Sequence, residues 1–180
     1  MFILSAGALS FEKVQELLEW SPTVIVAEWE VNQVKGWGIK IDVVLCAETN
    51  LEKLKEELAD QAPIKFITFH STEDCLSTGM YFLLAAKYQA VNLLTDSTTV
   101  LSFLSSLRGI EMDAFIDNRK WSFIQKMKFE KWVDQGTQFE VYPSHILIKT
   151  TGLTSTMTSE SSGIISITAS TPFWVGEDLS

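Results

Sequence analysis

Four acidic side chains follow apolar runs in the first half of the chain. Glu28 and Glu48 each come after a run of buried type, and Glu73 and Asp74 lie in a polar loop after a third run. Carboxylates are the protein ligands that Mg²⁺ prefers, so these residues are candidates for a metal cluster. The alternative is that all four are solvated loop carboxylates, with Glu73 and Asp74 stabilising the start of a helix.

Three other features have side chains that could carry chemistry. His70 could act as a general acid or base, or it is a structural loop residue, as we also expect for His145. Trp29 and Trp37 could stack on a planar ligand, or they pack in the core or an interface. The cationic turn at residues 118–120 could meet an anion or be solvated. The sequence has no phosphate-binding loop, dinucleotide fingerprint, nucleophile elbow or zinc motif.

The stretch at residues 23–50 positions two of the carboxylates. Its two apolar runs, 23–27 and 41–46, are joined by a short crossover, and this pattern is typical of a βαβ unit. Ligands of open α/β sheets bind at the carboxyl ends of the strands, which is where Glu28 and Glu48 lie. We therefore expect a site of this chain at that edge of the sheet.

The rest of the first half repeats the alternation of strand and helix, which predicts a mainly parallel sheet. Thr49 and Glu52 have the spacing of a capping box, which predicts the start of one helix. The predicted strands are 2–4, 23–27, 41–46, 64–69, 90–94 and 112–116, and the predicted helices are 11–20, 51–59, 74–88 and 100–107.

The sequence pattern changes near residue 117. From there, short alternating strands are separated by Gly and Pro turns, which predicts an antiparallel β-sandwich. We therefore expect an α/β domain at residues 1–117 and a sandwich domain at residues 118–180. The predicted strands of the second domain are 120–126, 129–133, 138–142, 146–151, 163–170 and 173–175.

Charge and cysteine content limit the classes of partner and the compartment. The chain has 14 Lys and Arg against 23 Asp and Glu, a net charge of −9, which argues against nucleic acid or an anionic membrane as a partner. Its first apolar run has no basic flank and is too short for a signal peptide or a membrane span. Cys46 and Cys75 lie in apolar or helical contexts, which predicts two reduced, partly buried thiols in a cytoplasmic protein.

Three segments of the first half follow one another with the spacing of a known set of motifs: residues 27–32 (AEWEVN), 38–42 (GIKID) and 46–50 (CAETN). They match Ala-Asp-Gly-Gly-Ala-Asn, Gly-Ile-x-Pro-Asp and Gly-Asp-Phe-Asp-Ser in turn, without a gap. These are motifs of the thiamine pyrophosphokinases, which the chain resembles over nearly its whole length.

The second half of the chain extends this resemblance. Residues 136–143 resemble the family's Gly-x-x-x-Ser-x-x-Pro strand, and residues 151–153 resemble its Thr-x-Gly-Leu turn. Residues 163–166 lie where the family has Gly-x-x-Ser-Asn, a segment that contacts thiamine. The resemblance therefore implies that Ser166 and Asn32 bind substrate.

The resemblance also implies an architecture and a reaction. The family has an N-terminal α/β domain and a C-terminal β-sandwich, and it forms homodimers with active sites between subunits. Its members transfer a pyrophosphoryl group from ATP to thiamine with Mg²⁺. Asp74 matches the last carboxylate of the family's second acidic motif, and Glu73, Glu48 and Glu28 complete the set of candidate metal ligands.

The positions that carry the family's chemistry differ in this chain. Ala47 and Thr49 replace two motif aspartates, Trp29 and Glu30 replace the paired glycines, and residues 95–99 lack the family's glycines and arginine. Each such contact is worth roughly 3–4 kcal/mol in catalysis, so their joint loss predicts that turnover is abolished. The sequence predicts a non-catalytic homologue that binds a thiamine-like or nucleotide ligand or serves in assembly. The alternative is an active, divergent enzyme that uses Mg²⁺ and ATP.

Overall fold

The computed structural model describes residues 1–179, and the chain divides into two compact units, residues 1–96 and 97–180. The first unit is a sheet with four α-helices, and its elements are β1 (Phe2–Ile3), α1 (Phe11–Leu18), β2 (Ile25–Ala27), α2 (Val31–Gly36), β3 (Val43–Ala47), α3 (Leu51–Glu57), β4 (Lys65–Phe69), α4 (Cys75–Ala85) and β5 (Ala90–Leu94). The strands pair in parallel in the order β4-β3-β2-β1-β5.

The central strands of this sheet are buried on both faces, as is usual where helices cover a parallel sheet. Every residue of β2 has zero exposed surface. Helix α4 packs directly on the sheet through Gly79, where an added Cβ would lie 2.5 Å from the Phe2 ring and 2.8 Å from Leu45 Cδ1. The absence of a side chain at residue 79 therefore sets how closely the helix approaches the sheet.

A short 3₁₀ turn separates each of the first four strands from its helix; the turns are Ala6–Ala8, Glu28–Glu30, Glu48–Asn50 and Thr72–Asp74. The expected capping box of Thr49 and Glu52 is wrong, because Thr49 lies inside a turn and Asn50, at the N-cap of α3, makes no side-chain cap bond. A capping box is present one strand later, between Ser71 and Asp74.

Helices α1, α3 and α4 lie where they were predicted but are shorter, and α2 forms the predicted crossover between β2 and β3. Helix α1 ends at Leu18 rather than at residue 20, because the chain turns at Ser21, with φ of +47°, ahead of Pro22. Helix α4 covers Cys75–Ala85 rather than residues 74–88, because Lys87 takes a φ of +61° and ends the helix.

The second unit contains one short helix and two antiparallel sheets, and its elements are α5 (Val100–Leu104), β6 (Glu111–Ile116), β7 (Arg119–Ile124), β8 (Lys128–Val133), β9 (Phe139–Tyr142), β10 (Ile148–Thr151), β11 (Gly163–Ala169) and β12 (Phe173–Asp178). One sheet has the order β6-β7-β12-β9 and the other has the order β10-β11-β8. The two sheets share an apolar core that includes Ile165 and Ile167 of β11 and Phe173 and Val175 of β12. This arrangement is a β-sandwich.

The predicted fold class, an α/β part with a mainly parallel sheet followed by an antiparallel β-sandwich, is confirmed. Strand β6 pairs antiparallel with β7 and lies in the second compact unit, which begins at Ser97. The domain boundary that the sequence places after residue 117 stays a prediction. Within residues 1–179, no helix has the length and apolar character needed to cross a bilayer.

Candidate functional site

The candidate site is the carboxyl edge of the parallel sheet, which we define as residues 4–5, 28–30, 48–50 and 70–74. These segments follow β1, β2, β3 and β4 in turn. They lie at one edge because the four strands are parallel and adjacent. Glu28, Trp29, Glu48 and His70 are thereby brought to the same side of the first unit, as the sequence predicts for strand ends.

Glu28 is half-buried and is committed to hydrogen bonds. Its Oε2 accepts from the backbone N–H of Ala47 at 3.1 Å and from Nδ2 of Asn50 at 2.9 Å. Both donors belong to the end of β3 and the turn that follows it. The carboxylate therefore fastens the end of β2 to the end of β3.

Trp29 lies across the same edge. Its indole Nε1 donates to the carbonyl oxygen of Leu4 at 2.7 Å, and its ring centroid lies 6.2 Å from that of Phe69, at an interplanar angle of 58°. Leu4 follows β1 and Phe69 ends β4, and these strands lie on either side of β2 and β3. The indole therefore spans the carboxyl ends of the central strands, with 44% of the residue exposed.

The segment that holds the indole is itself anchored. The backbone N–H groups of Leu4 and Ser5 both donate to the carbonyl oxygen of Leu94, at 2.9 and 3.1 Å. Leu94 is the last residue of β5, so Leu4 is fixed to the strand next to β1. Trp29 is thus bonded to a rigid part of the sheet rather than to a free loop.

Two buried, free cysteines lie beneath this edge, as the sequence predicts. Burial raises the pKa of the Cys46 thiol, and the charge of Glu28 adds to the effect. Burial, followed by the charges of Glu28 and Cys46, raises the pKa of Cys75 to about 12. Both thiols are therefore protonated at neutral pH and neither is a ready nucleophile.

The four predicted metal ligands are not gathered into a site. Glu28 bonds to Asn50, Asp74 Oδ2 accepts from the backbone N–H and the Oγ of Ser71, and Glu48 and Glu73 are exposed. Within the described residues, 1–179, no group of three or more His, Cys, Asp or Glu side chains is arranged to hold a metal ion. The role of these four residues as metal ligands therefore stays a prediction.

The two residues implied to bind substrate lie in different units. Asn32 is exposed on α2. Ser166 is half-buried on the outer face of the three-stranded sheet, opposite Glu130 on β8 and Thr151 on β10. The next residue, Ile167, is fully buried in the core, so it cannot replace the asparagine of the family motif.

The remaining candidates mostly have structural partners. Trp37 stacks on Phe11 with ring centroids 5.4 Å apart, which supports packing over ligand stacking. Arg119 pairs with Glu140 and with Asp178, and Lys120 pairs with Asp113 at 2.8 Å, so the cationic turn at residues 118–120 is largely neutralised. His70 and His145 are exposed loop residues.

Sequence reasoning missed the partners that tie the carboxyl edge together. The sequence pattern puts Asn50 at this edge but does not identify it as a partner of Glu28. The signal that could have found it is the spacing itself, because adjacent parallel strands bring residues 28 and 50 to neighbouring positions. The bond from Trp29 to Leu4 has no such signal, since its acceptor is a backbone carbonyl.

Comparisons with known proteins show which fold the chain has. No protein-family model matches the sequence, and no curated protein is significantly similar to it in sequence. Among solved structures, the thiamine pyrophosphokinase of Bacillus subtilis is similar with a TM-score of 0.66 and 10% identity, covering 99% of this chain and 97% of that one. That of Candida albicans is similar with a TM-score of 0.76 and 8% identity, covering 99% and 88%.

A third similar structure is a probable thiamine pyrophosphokinase from Staphylococcus saprophyticus, with a TM-score of 0.66 and 13% identity, covering 99% of this chain and 97% of that one. Coverage is almost complete in all three cases, so the likeness includes both compact units. The chain has the thiamine pyrophosphokinase fold. A shared fold at this level of identity does not carry the activity with it.

Proposed function

We propose that this chain is a non-catalytic relative of the thiamine pyrophosphokinases that keeps their fold and has lost the transfer reaction. The observation that carries the proposal is the use of Glu28 and Trp29 at the carboxyl edge. The Glu28 carboxylate joins the end of β2 to the end of β3 by hydrogen bonds, and the Trp29 indole lies across the strand ends. Both are committed to the protein itself at the place where ligands of such sheets bind.

The chemistry of phosphoryl transfer supports this proposal. Such enzymes accelerate the reaction by positioning the phosphates and neutralising their charge with metal ions and cationic groups. Mg²⁺ usually takes one or two protein carboxylates in addition to phosphates and waters. The described residues contain no cluster of three or more His, Cys, Asp or Glu side chains that could hold a metal ion, and Ala47 and Thr49 stand at the positions of the motif aspartates.

Side chains at the carboxyl edge also oppose the approach of a polyphosphate. Backbone N–H groups next to small residues bind phosphate well because nothing blocks them. Here the indole of Trp29 covers the strand ends, and Glu28 and Glu30 add negative charge beside it. A triphosphate would have to displace a bonded side chain and approach like charges.

We propose that the retained role is binding of a small thiamine-like or nucleotide ligand, or assembly as a homodimer, in the cytoplasm. The resemblance supports homodimer formation, and the composition and the two free cysteines support a cytoplasmic location. Mg²⁺ and ATP belong only to the alternative in which the chain is an active, divergent enzyme. The lack of an arranged metal site weighs against that alternative.

The decisive experiment is a direct assay for product. Purified protein is incubated for a day with ATP, thiamine and Mg²⁺ or Mn²⁺, and thiamine pyrophosphate is quantified by chromatography. The Bacillus subtilis enzyme serves as the positive control in the same buffer. We expect no product above the protein-free blank, and sustained formation of thiamine pyrophosphate would refute the loss of catalysis.

Ligand binding is tested separately. A thermal-shift series with thiamine, its phosphates, ATP and ADP, each with and without Mg²⁺, asks whether any of them stabilises the protein. A ligand at 100 times its Kd stabilises the folded state by about 2.7 kcal/mol, which is a measurable shift in Tm. Stabilisation by one of these compounds supports the binding role, and a flat response to all of them leaves only assembly.

A further inference from the structure

The second unit contains a cleft with a volume of about 580 Å³. It is lined by the end of β8, the turn at residues 134–138 and the end of β12 with the residue that follows it. Small-molecule sites of proteins usually have volumes of roughly 300–1,000 Å³. The cleft is therefore large enough for a small ligand or for a few residues of a bound peptide.

Hydrogen bonds hold the backbone of the turn at residues 134–138 in place. The carbonyl oxygen of Asp134 accepts from the Oγ of Ser159 at 2.6 Å and from the Oγ1 of Thr137 at 2.7 Å. Ser159, which is only 3% exposed, also accepts from the backbone N–H of Thr137 at 2.9 Å, and its carbonyl oxygen accepts from that of Gly136 at 3.1 Å. The turn is therefore positioned before a ligand arrives, which lowers the entropy cost of binding.

Most of the charges that line the cleft are paired within the protein. Both carboxylate oxygens of Glu177 accept from the Nζ of Lys131, at 2.7 and 2.6 Å. The carboxylate of Asp178 pairs with Arg119 at 2.6 Å. The carboxylate of Asp134 has no hydrogen-bond or ion-pair partner among residues 1–179, the part of the chain that the structure describes. The unpaired charge of the lining is therefore that of Asp134.

The cleft also has an exposed aromatic residue and a free amide. Trp132 of β8 lines the cleft and is 59% exposed. It is two residues from Asp134, the spacing at which side chains of an extended chain lie on the same side. Gln138, at the end of the turn, is exposed, and its side chain has no partner in the described part of the chain. The lining therefore offers a flat aromatic surface, one carboxylate and one amide.

We propose that this cleft binds a guanidinium group, carried by a small arginine-like molecule or by an arginine side chain of a peptide. A guanidinium is planar and cationic, so it can stack on the indole of Trp132 and donate two N–H groups to the carboxylate of Asp134. The amide oxygen of Gln138 can accept a further N–H. This inference does not depend on the proposed loss of catalysis, because the cleft and the carboxyl edge share no residue.

Charge distinguishes a guanidinium from a phosphorylated ligand at this cleft. One cationic and three anionic residues line it, and the whole chain has a net charge of −9. An anionic ligand is therefore repelled, and a cation is attracted from solution. An ammonium group lacks the planar fork that stacks and forms two parallel hydrogen bonds at once. We therefore expect a guanidinium to bind more tightly than a primary amine or a phosphate ester.

The expected affinity for a single guanidinium is low. One cation–π contact at an exposed indole and one charge-assisted pair correspond to a dissociation constant on the order of 1 mM for a free arginine derivative. Raising the salt concentration from about 20 to 300 mM should weaken the binding, because salt screens an exposed ion pair. A peptide can make further contacts in the rest of the cleft, so an arginine within a peptide should bind roughly tenfold more tightly.

An NMR titration of ¹⁵N-labelled protein tests the proposal, because each of the six tryptophans has its own indole N–H signal. Trp132→Phe identifies the signal of Trp132 by its loss. The probes are N-acetyl-arginine amide, the citrulline analogue with an uncharged side chain and the lysine analogue, each up to about 20 mM. We expect the arginine probe to shift the Trp132 signal to saturation, the lysine probe to bind several-fold more weakly and the citrulline probe to leave the signal unchanged.

A blocked Gly-Arg-Gly peptide distinguishes the two sources of the guanidinium. Tighter binding of this peptide than of the single arginine derivative supports a peptide ligand, and equal binding supports a small molecule. An unchanged Trp132 signal with the arginine probe and with this peptide overturns the proposal. A citrulline probe that shifts the signal as strongly as the arginine probe does so too, because the recognised group would then not be a cation.

Matched variants locate the bound group. Asp134→Asn keeps the shape of the side chain and removes its charge, so it should weaken binding of the arginine probe roughly tenfold. Asp96→Asn makes the same change of net charge at an exposed site in the first unit and should leave the affinity unchanged. Trp132→Ala, followed by the backbone N–H signal of Gly136, should abolish binding, and Trp20→Ala should not. Wild-type affinity in Asp134→Asn would refute the site.

Discussion

Glu28 makes a testable contribution to stability at the scale of a single residue. Replacing it by Ala leaves the Ala47 N–H and the Asn50 amide without their shared acceptor. Loss of the acceptor of a partly buried donor costs about 1–3 kcal/mol, so Glu28→Ala should lower the free energy of unfolding by that amount. The measurement is urea unfolding followed by circular dichroism.

Glu48→Ala is the matched control for this prediction. Glu48 occupies the same place after β3 that Glu28 occupies after β2, but it is exposed. Surface substitutions of this kind usually change stability by less than about 0.5 kcal/mol. Equal effects of the two substitutions would contradict the fastening role of Glu28.

The pH dependence of stability should carry a contribution from Cys75. Its pKa is raised in the folded state from 9.0 to about 12, so the folded chain keeps the thiol proton over a range in which the unfolded chain loses it. The stability that the protonated Cys75 thiol contributes is fully present below pH 9 and is lost as the pH rises towards 12. The loss is at most about 1.4 kcal/mol per pH unit.

The comparison of the wild type with Cys75→Ala isolates this contribution from the titration of lysines. Free energies of unfolding are measured in urea at pH 8, 9 and 10 for both proteins. The difference between them should shrink above pH 9. A difference that is constant over this range would show that Cys75 ionises normally in the folded chain.

At the scale of elements, the close packing of α4 on the sheet predicts that Gly79→Ala lowers the stability of the protein. Alanine favours a helix over glycine by about 1 kcal/mol, yet the new Cβ would meet the Phe2 ring and Leu45 at less than 3.0 Å. Overpacking of this kind costs about 1–3 kcal/mol, so the variant should be less stable despite its better helix former. Thermal unfolding shows whether the variant has a lower Tm than the wild type, as expected.

Gly36→Ala provides the control, because an added Cβ at the end of α2 meets nothing within 4 Å. It should be neutral or should raise stability by up to about 1 kcal/mol. If Gly79→Ala were as mild as Gly36→Ala, α4 would have room to move away from the sheet.

The elements themselves were largely predictable, and their ends were not. Hydrophobic runs and helical periodicity located the strands and four of the five α-helices, because burial dominates at those positions; α2 was expected only as a short crossover. The 3₁₀ turns were not foreseen, since a turn such as Glu48–Asn50 has no periodic signal of its own. The error at Thr49 and Glu52 has the same origin: the turn contains Thr49 and makes Asn50 the N-cap of α3, which begins at Leu51 as predicted.

At the scale of the whole molecule, the sequence located the carboxyl edge as the candidate site but not its internal bonds. The order of parallel strands brings Glu28 and Glu48 to one edge whatever their side chains do, so the edge follows from topology. The bonds of Glu28 to Asn50 and of Trp29 to Leu4 depend on turn geometry and rotamers, which pattern alone does not specify. The sequence pattern therefore leaves open a metal-binding cluster or solvated carboxylates at this edge, where the structure has Glu28 bonded to Ala47 and Asn50.

If the chain has kept the family's fold and lost only the metal and phosphate contacts, restoring some of these contacts should partly restore nucleotide binding. The triple variant Trp29→Gly, Ala47→Asp, Thr49→Asp removes the indole from the strand ends and returns two carboxylates to the places that the resemblance assigns to them. We expect ATP with Mg²⁺ to stabilise this variant relative to its own ligand-free state by about 1 kcal/mol at millimolar ligand, a shift of a few degrees in Tm. The wild type, in which the Trp29 indole covers the strand ends, should be stabilised less than the variant, and omission of Mg²⁺ should abolish the shift of the variant. Turnover should stay absent, because residues 95–99 still lack an arginine to stabilise the transferring phosphates. A wild type stabilised as strongly as the variant would mean that the edge already accepts a nucleotide as it stands.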